Sequence, residues 1–232
     1  MNKKLSGVFG IILSCLMLIF FETYFYKVLG SVGVNIYKYS YNTRVIIDVL
    51  VKIFMCFIVY LIYKKDFRHN RRNDNFFKNL LMFLVALVLV IGIMYLFSYV
   101  VDYLGKIFKI DIIDRSFYNI FDKRIDFYLI VKIVLDYIVK PYLYCSIIFL
   151  GIDKITRRND TFIILSGILA SVIYAISLSG TLGYVIINSL STFMLFITLA
   201  YFYKKQNSIW FSIVLYSSYL IGSSIIINYL GW

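Results

Sequence analysis

The chain has 232 residues, of which 62% are hydrophobic, 19% are aromatic and only 16% are charged. A soluble domain of this length could not bury so much apolar surface, so the composition excludes a water-soluble globular protein and predicts an all-α, polytopic membrane protein. The formal net charge of +12 would suit nucleic acid, but we expect these basic residues to set the topology and to meet the anionic head groups of the lipid bilayer, with no nucleic-acid partner.

Seven apolar segments are each long enough, at roughly 20 residues, to cross a bilayer. In chain order they cover residues 5–25, 45–63, 80–101, 127–152, 162–178, 182–203 and 209–230. The first segment resembles a signal peptide but has no small-residue cleavage pattern, so we expect it to stay as a helix. We divide the chain into an N-terminal region of three spans, 1–126, and a core of four spans, 127–232, within one integral membrane unit.

Lysine and arginine are concentrated at the N-terminus and in every second loop. The basic loops contain Lys64 to Lys78, Lys154 to Arg158, and Lys204 with Lys205, whereas the basic residues of the 102–126 loop are matched by five aspartates. Because positively charged flanks stay in the cytoplasm, this pattern predicts an N-terminus inside and a C-terminus outside.

Residues 105–121 alternate apolar and charged side chains at approximately helical spacing. This pattern favours an interfacial helix that lies on the outer leaflet. A plain solvated loop is the alternative interpretation.

The sequence offers little support for a metal site, a cofactor or a known catalytic triad. Cys15, Cys56 and Cys145 lie in apolar runs without the spacing of zinc ligands, and His69 is the single histidine. There is no glycine-rich phosphate loop. We therefore expect no metal site and no cofactor.

Charged residues inside the spans are the usual place to look for function, because charges are costly in hydrocarbon. Three are Glu22, Lys27 and Lys52, and a further row consists of Lys132, Asp136 and Lys140. The row is spaced i, i+4 and i+8, so Asp136 could pair with either lysine near the outer interface. A local ion pair and a solute site in a transporter are both compatible with this row.

Residues 141–151, PYLYCSIIFLG, contain the single proline of the chain and end in Phe-x-Gly. Together with YAISL at 174–178 and KKQNSIWFSIVLYSSYL at 204–220, they give three motif frames in order. These frames resemble the CPBP family of glutamate-type intramembrane proteases, also known as the CAAX protease and bacteriocin-processing or Abi family. The resemblance covers roughly residues 127–228.

The resemblance implies that the residues of the family's chemistry are absent from this chain. The positions that match lost catalytic residues are uncharged at neutral pH, and they are Cys145, Ser146, Leu150, Leu178, Tyr216 and Leu220. These side chains cannot supply the glutamate base or the histidine and asparagine donors that the family uses. We therefore expect no enzyme activity and interpret the chain as a pseudoprotease.

Two functional hypotheses follow. In the first, a catalytically inactive CPBP-like protein acts as a scaffold, chaperone or regulator of another membrane-anchored cell-envelope protein, for example a cell-wall enzyme. In the second, the chain is a small-solute transporter or a membrane protein of the bacteriocin-immunity type. Abundant Lys, Ile, Asn and Tyr suggest an AT-rich bacterial genome, so we expect a multi-pass protein of a bacterial cytoplasmic membrane.

Overall fold

Seven helical spans make up the part of the molecule that the structure describes. The computed structural model describes residues 3–32, 38–69, 76–108, 127–156, 158–178 and 182–230. Within these ranges there is no strand, and seven helical segments are long and apolar enough to cross a membrane. The chain is therefore an all-α, multi-pass membrane protein, and the seven predicted spans are confirmed to within a few residues for most boundaries.

The helices follow the chain in a simple order. The first span consists of α1 (Lys3–Ile19), a π-helical turn (Phe20–Tyr24) and α2 (Phe25–Ser31). The next two spans are α3 (Tyr41–His69) and α4 (Phe76–Phe108). The last three are α8 (Asn159–Ser177), α9 (Leu182–Gln206) and α10 (Ile209–Leu230).

The fourth span lies at the centre of the molecule, and we call it the central span. It contains α5 (Phe127–Val134), a π-turn (Leu135–Val139), α6 (Lys140–Cys145), a second π-turn (Ser146–Leu150) and α7 (Gly151–Ile155). In the most apolar stretch of the central span 56% of the residues are buried, whereas the same fraction is 17% in α3 and 17% in α4. The other spans therefore surround the central span. Pro141 directly follows the first π-turn in a continuous helical span, and because proline has no N–H, one backbone hydrogen bond is missing there.

Stacked aromatic rings fill the core where the central span meets α8 and α9. The ring centroids of Phe149 and Tyr203 are 5.3 Å apart, as are those of Phe162 and Tyr203. All three side chains are almost completely buried. Phe149 of the Phe-x-Gly sequence is therefore a packing residue at the centre of the bundle.

Ion pairs join the helices at the end that we predict to be cytoplasmic. Asp153 of α7 pairs with Lys204 of α9, and the Nζ of Lys154 lies 2.8 Å from Oδ2 of Asp66 in α3. Nearby, Asn207 adopts a left-handed conformation with φ of 48° and ends α9, which lets α10 return beside it.

The predicted interfacial helix at 105–121 lies largely outside the described residues. Its first four residues, 105–108, form the last turn of α4 instead of a separate element. The third span is consequently longer than the sequence pattern indicated.

Gly151 marks a close crossing of the central span with α1 and α3. A Cβ atom at this position would lie 2.7 Å from Cδ1 and 2.8 Å from Cγ1 of Ile11, and 3.0 Å from the hydroxyl oxygen of Tyr63. These separations are shorter than van der Waals contact. The glycine that ends the PYLYCSIIFLG sequence is thus required by the approach of neighbouring helices.

We expect Gly151→Val to lower the thermal unfolding temperature in detergent, because the added side chain must push α1 aside. Overpacking of this kind typically destabilises a protein by about 1–3 kcal/mol. Gly92→Val in α4 is the matched control, since nothing lies within 4 Å of its added Cβ. Equal unfolding temperatures for the two variants would contradict the close crossing.

Candidate functional site

Six charged side chains meet in one cavity of about 180 Å³. The first span, α3 and the central span contribute three acidic and three basic residues, so the formal charge of the set is zero. The set consists of Glu22, Asp48, Lys52, Lys132, Asp136 and Lys140. Phe21, Val51, Met55 and Leu135 supply the apolar parts of the wall. We call this space the charged cavity.

The charged cavity lies in the half of the bundle that we predict to be outside. Asp48 and Lys52 follow the start of α3 at Tyr41 by seven and eleven residues, which places them about 10 and 16 Å along the helix. Lys132 and Lys140 follow the start of α5 at Phe127 by five and thirteen residues, which places them about 8 and 20 Å along the central span. Since α3 and the central span each have 29 residues and are about 44 Å long, all four groups lie between the outer end and the middle of their spans.

Lys52 is the electrostatic centre of the cavity. Its Nζ atom lies 3.0 Å from Oε1 of Glu22, and the two side chains are only 16% and 14% exposed. Lys52 is also close enough to Asp48 and Asp136 to interact with both carboxylates. One lysine on α3 therefore faces acidic groups from all three spans.

Two π-helical turns bring acidic residues to the cavity. Glu22 lies in the turn at Phe20–Tyr24, and Asp136 lies in the turn at Leu135–Val139. A four-residue step overshoots an α-helical turn of 3.6 residues by about 40°. The wider π-turn reduces this drift, so Lys132, Asp136 and Lys140 can line the same cavity although they span eight residues.

Tyrosine and phenylalanine rings lie deeper in the bundle than the charged groups. The Nζ of Lys140 is 5.7 Å from the ring centroid of Tyr144. Tyr144 packs on Phe196, which in turn contacts Tyr216 at a centroid distance of 5.5 Å. All three rings are buried, so this aromatic layer separates the charged cavity from the opposite side of the bundle.

The charged row that the sequence analysis identified, Lys132, Asp136 and Lys140, lines the cavity, but its members form no ion pair within 4 Å with one another. Among the described residues, the ion pair within 4 Å in this region joins Lys52 to Glu22, and Asp136 has no such partner. Asp48 was missed by sequence reasoning. The spacing in the sequence could have identified Asp48, because it lies four residues before Lys52 in α3 and thus on the same helical face.

None of the six positions of the CPBP-like frames lines the charged cavity, although Tyr216 belongs to the aromatic layer beneath it. Cys145 and Ser146 are completely buried, and Leu150 and Tyr216 are 2% and 8% exposed. Leu178, just after α8, and Leu220 in α10 are half-buried. Cys145 and Tyr216 are near enough for an electrostatic interaction, so the first and third frames do meet. Their side chains form packed core.

The described residues give no indication of a metal centre. No group of three or more His, Cys, Asp or Glu side chains in these ranges could hold a metal ion. The cysteines are free thiols, and Cys15 and Cys145 are buried. The charged cavity is therefore the part of the described structure with the most polar chemistry.

No family model, no curated protein and no solved structure matches this chain, so the interpretation of its function depends on its own residues.

Proposed function

We propose that this protein binds a small charged solute from the outer side of the membrane and transports it. The observation that carries the proposal is the charged cavity, in which three acidic and three basic side chains meet within the bilayer-spanning bundle. Ionisable groups are expensive in hydrocarbon, and in membrane proteins they commonly mark the pathway of a substrate or an ion.

The irregular helices around the cavity support the same proposal. The π-turns that carry Glu22 and Asp136 interrupt regular α-helix in two neighbouring spans. Such turns occur frequently at functional sites, and interrupted helices form the solute sites of many secondary transporters.

The aromatic layer of Tyr144, Phe196 and Tyr216 supplies a barrier on the inner side of the cavity. A solute that enters from outside would meet this layer before it could reach the cytoplasm. Transport would then require the central span to move relative to α9 and α10.

We place the protein in a bacterial cytoplasmic membrane, on the support of its amino-acid composition and its basic loops.

The test uses the full chain reconstituted in liposomes on a solid-supported membrane. We expect rapid addition of solutes from a panel of amino acids, carboxylates, amines and sugars to evoke current for at least one class. Asp136→Asn should abolish that current, because it removes one of the carboxylates that balance the three lysines of the cavity.

Asp160→Asn is the matched control, since Asp160 is an exposed aspartate at the start of α8. It should leave the current unchanged. An absence of current for the whole panel, or equal currents for wild type and Asp136→Asn, would contradict the proposal.

A second candidate is the inactive CPBP-like scaffold that binds a membrane-anchored cell-envelope protein. The proximity of Cys145 to Tyr216 favours it, because the first and third frames meet as the resemblance implies. Contact through a groove at these buried positions would require the helices to separate. This candidate expects a membrane-anchored protein to copurify equally with wild type and with Asp136→Asn, and no solute-evoked current.

A further inference from the structure

Two carboxylates of the charged cavity have no cationic partner at ion-pair distance. Asp48 and Asp136 form no hydrogen bond and no ion pair within 4 Å with any described residue. They are also close enough to repel each other electrostatically. Lys52 lies near both, but its ammonium group is already bonded to Glu22 at 3.0 Å, so the two carboxylates outnumber Lys132, the other cation near Asp48. This wall of the cavity therefore favours an additional positive group.

Lys140 lies at the deep end of the cavity and forms no ion pair within 4 Å with a described residue. Its ammonium group lies over the ring of Tyr144, 5.7 Å from the ring centroid. Glu22 interacts electrostatically with Lys140 as well as with Lys52, so this one carboxylate is shared by two lysines. The end of the cavity at Lys140 therefore favours an additional negative group.

Other ligand classes fit this arrangement poorly. A metal ion would face three lysines, and the described residues contain no cluster of metal ligands. A simple anion would meet three carboxylates in the same space. A neutral sugar could form hydrogen bonds with Asp48, Asp136 and Lys140 through its hydroxyl groups, but it would bring no charge to balance theirs.

We propose that the charged cavity binds a small zwitterion that carries a primary ammonium group and an acidic group. The ammonium group lies between Asp48 and Asp136, and the carboxylate or phosphate lies at Lys140. The volume of about 180 Å³ corresponds to roughly six water molecules, so the ligand is small. This assignment rests on the proposed function and adds the chemical class of the solute.

The same chemistry has two sources, a free amino acid-like solute and the head group of a phosphatidylethanolamine lipid. Thermal unfolding of the full chain in nanodiscs distinguishes them. The nanodiscs contain phosphatidylcholine and phosphatidylglycerol, with or without phosphatidylethanolamine. The free probes are L-alanine and phosphoethanolamine, with propionate and isopropylamine as controls that each lack one charged group of alanine.

We expect a free zwitterion to raise the unfolding temperature in nanodiscs without phosphatidylethanolamine, while propionate and isopropylamine do not. Asp136→Asn and Lys140→Met should each weaken this binding by about tenfold or more, because each removes one charged contact. Asp160→Asn and the surface variant Lys64→Met should leave it unchanged. If phosphatidylethanolamine alone raises the unfolding temperature and the free probes add nothing, the head group is the ligand.

Stabilisation by propionate or by isopropylamine equal to that by L-alanine would overturn the zwitterion assignment while solute binding itself would stand. No effect of any probe or lipid would also overturn it. In that case the currents evoked by the wider solute panel decide separately whether the protein transports a solute of another class.

Discussion

Lys52→Met should be among the most destabilising single substitutions in the charged cavity. The ammonium group of Lys52 lies 3.0 Å from the carboxylate of Glu22 and also interacts with Asp48 and Asp136. Methionine keeps most of the side-chain shape but removes the charge. Because Glu22 would lose its ion-pair partner and three carboxylates would then face only two lysines in a poorly solvated space, we expect a loss of about 3–5 kcal/mol in the free energy of unfolding.

A variant of Glu22, the ion-pair partner of Lys52, distinguishes the effect of the lost charge from the effect of changed packing. Glu22→Gln should destabilise the protein less than Lys52→Met, because Lys52 retains Asp48 and Asp136 as neighbours. The double variant should be more stable than Lys52→Met alone, since it removes both members of the buried pair. The measurement is unfolding in detergent for the four proteins of this double-mutant cycle.

An ion pair at the opposite end of the bundle provides the control for this cycle. Lys154 and Asp66 are 2.8 Å apart, but their side chains are 29% and 32% exposed. Removal of a pair with this solvent access should cost about 1 kcal/mol or less. An equal effect of Lys154→Met and Lys52→Met would argue against a special electrostatic role for Lys52.

The spans could be predicted from the sequence because each depends on a local property. An apolar run of sufficient length must be helical in lipid, whatever its neighbours are. The π-turns on either side of α6 were not predicted, because a wide turn depends on how neighbouring helices pack and not on a single residue.

The charged cavity was only partly predictable. The row on the central span could be found from its spacing, and Glu22 and Lys52 were noticed as charges within apolar runs. Their convergence depends on the contact of the first span with α3 and the central span, which are far apart in sequence. Without an observed contact, sequence spacing favours pairing within one helix, whereas the observed pair joins the first span to α3.

The glycine of the Phe-x-Gly sequence illustrates how a family-like frame can persist for packing reasons. Phe149 stacks with Tyr203, and Gly151 allows α1 to approach the central span. Both requirements belong to the helical bundle, and neither involves the chemistry of a protease. A Phe-x-Gly sequence can therefore be required by helix packing alone, and its presence carries little information about activity.

The second large effect is expected when glutamate is placed at both Cys145 and Ser146. These side chains are completely buried, and the Ser146 hydroxyl has no hydrogen-bond partner among the described residues. Two carboxylates there would be costly to ionise, at about 2–3 kcal/mol for each charge on insertion scales, and their larger volume would strain the packed helices. We expect a large loss of folded protein in size-exclusion chromatography, with no gain of proteolysis.

The matched control for this variant is the replacement of the same two residues by alanine. Ser146→Ala removes a buried hydroxyl that has no partner, and Cys145→Ala leaves only a small cavity, so the double alanine variant should remain folded close to wild type. The decisive comparison is substrate cleavage in membranes that contain each protein. Specific cleavage by the wild-type chain that disappears in Cys145→Ala would mean that the core position is reactive, and the pseudoprotease interpretation would then be wrong.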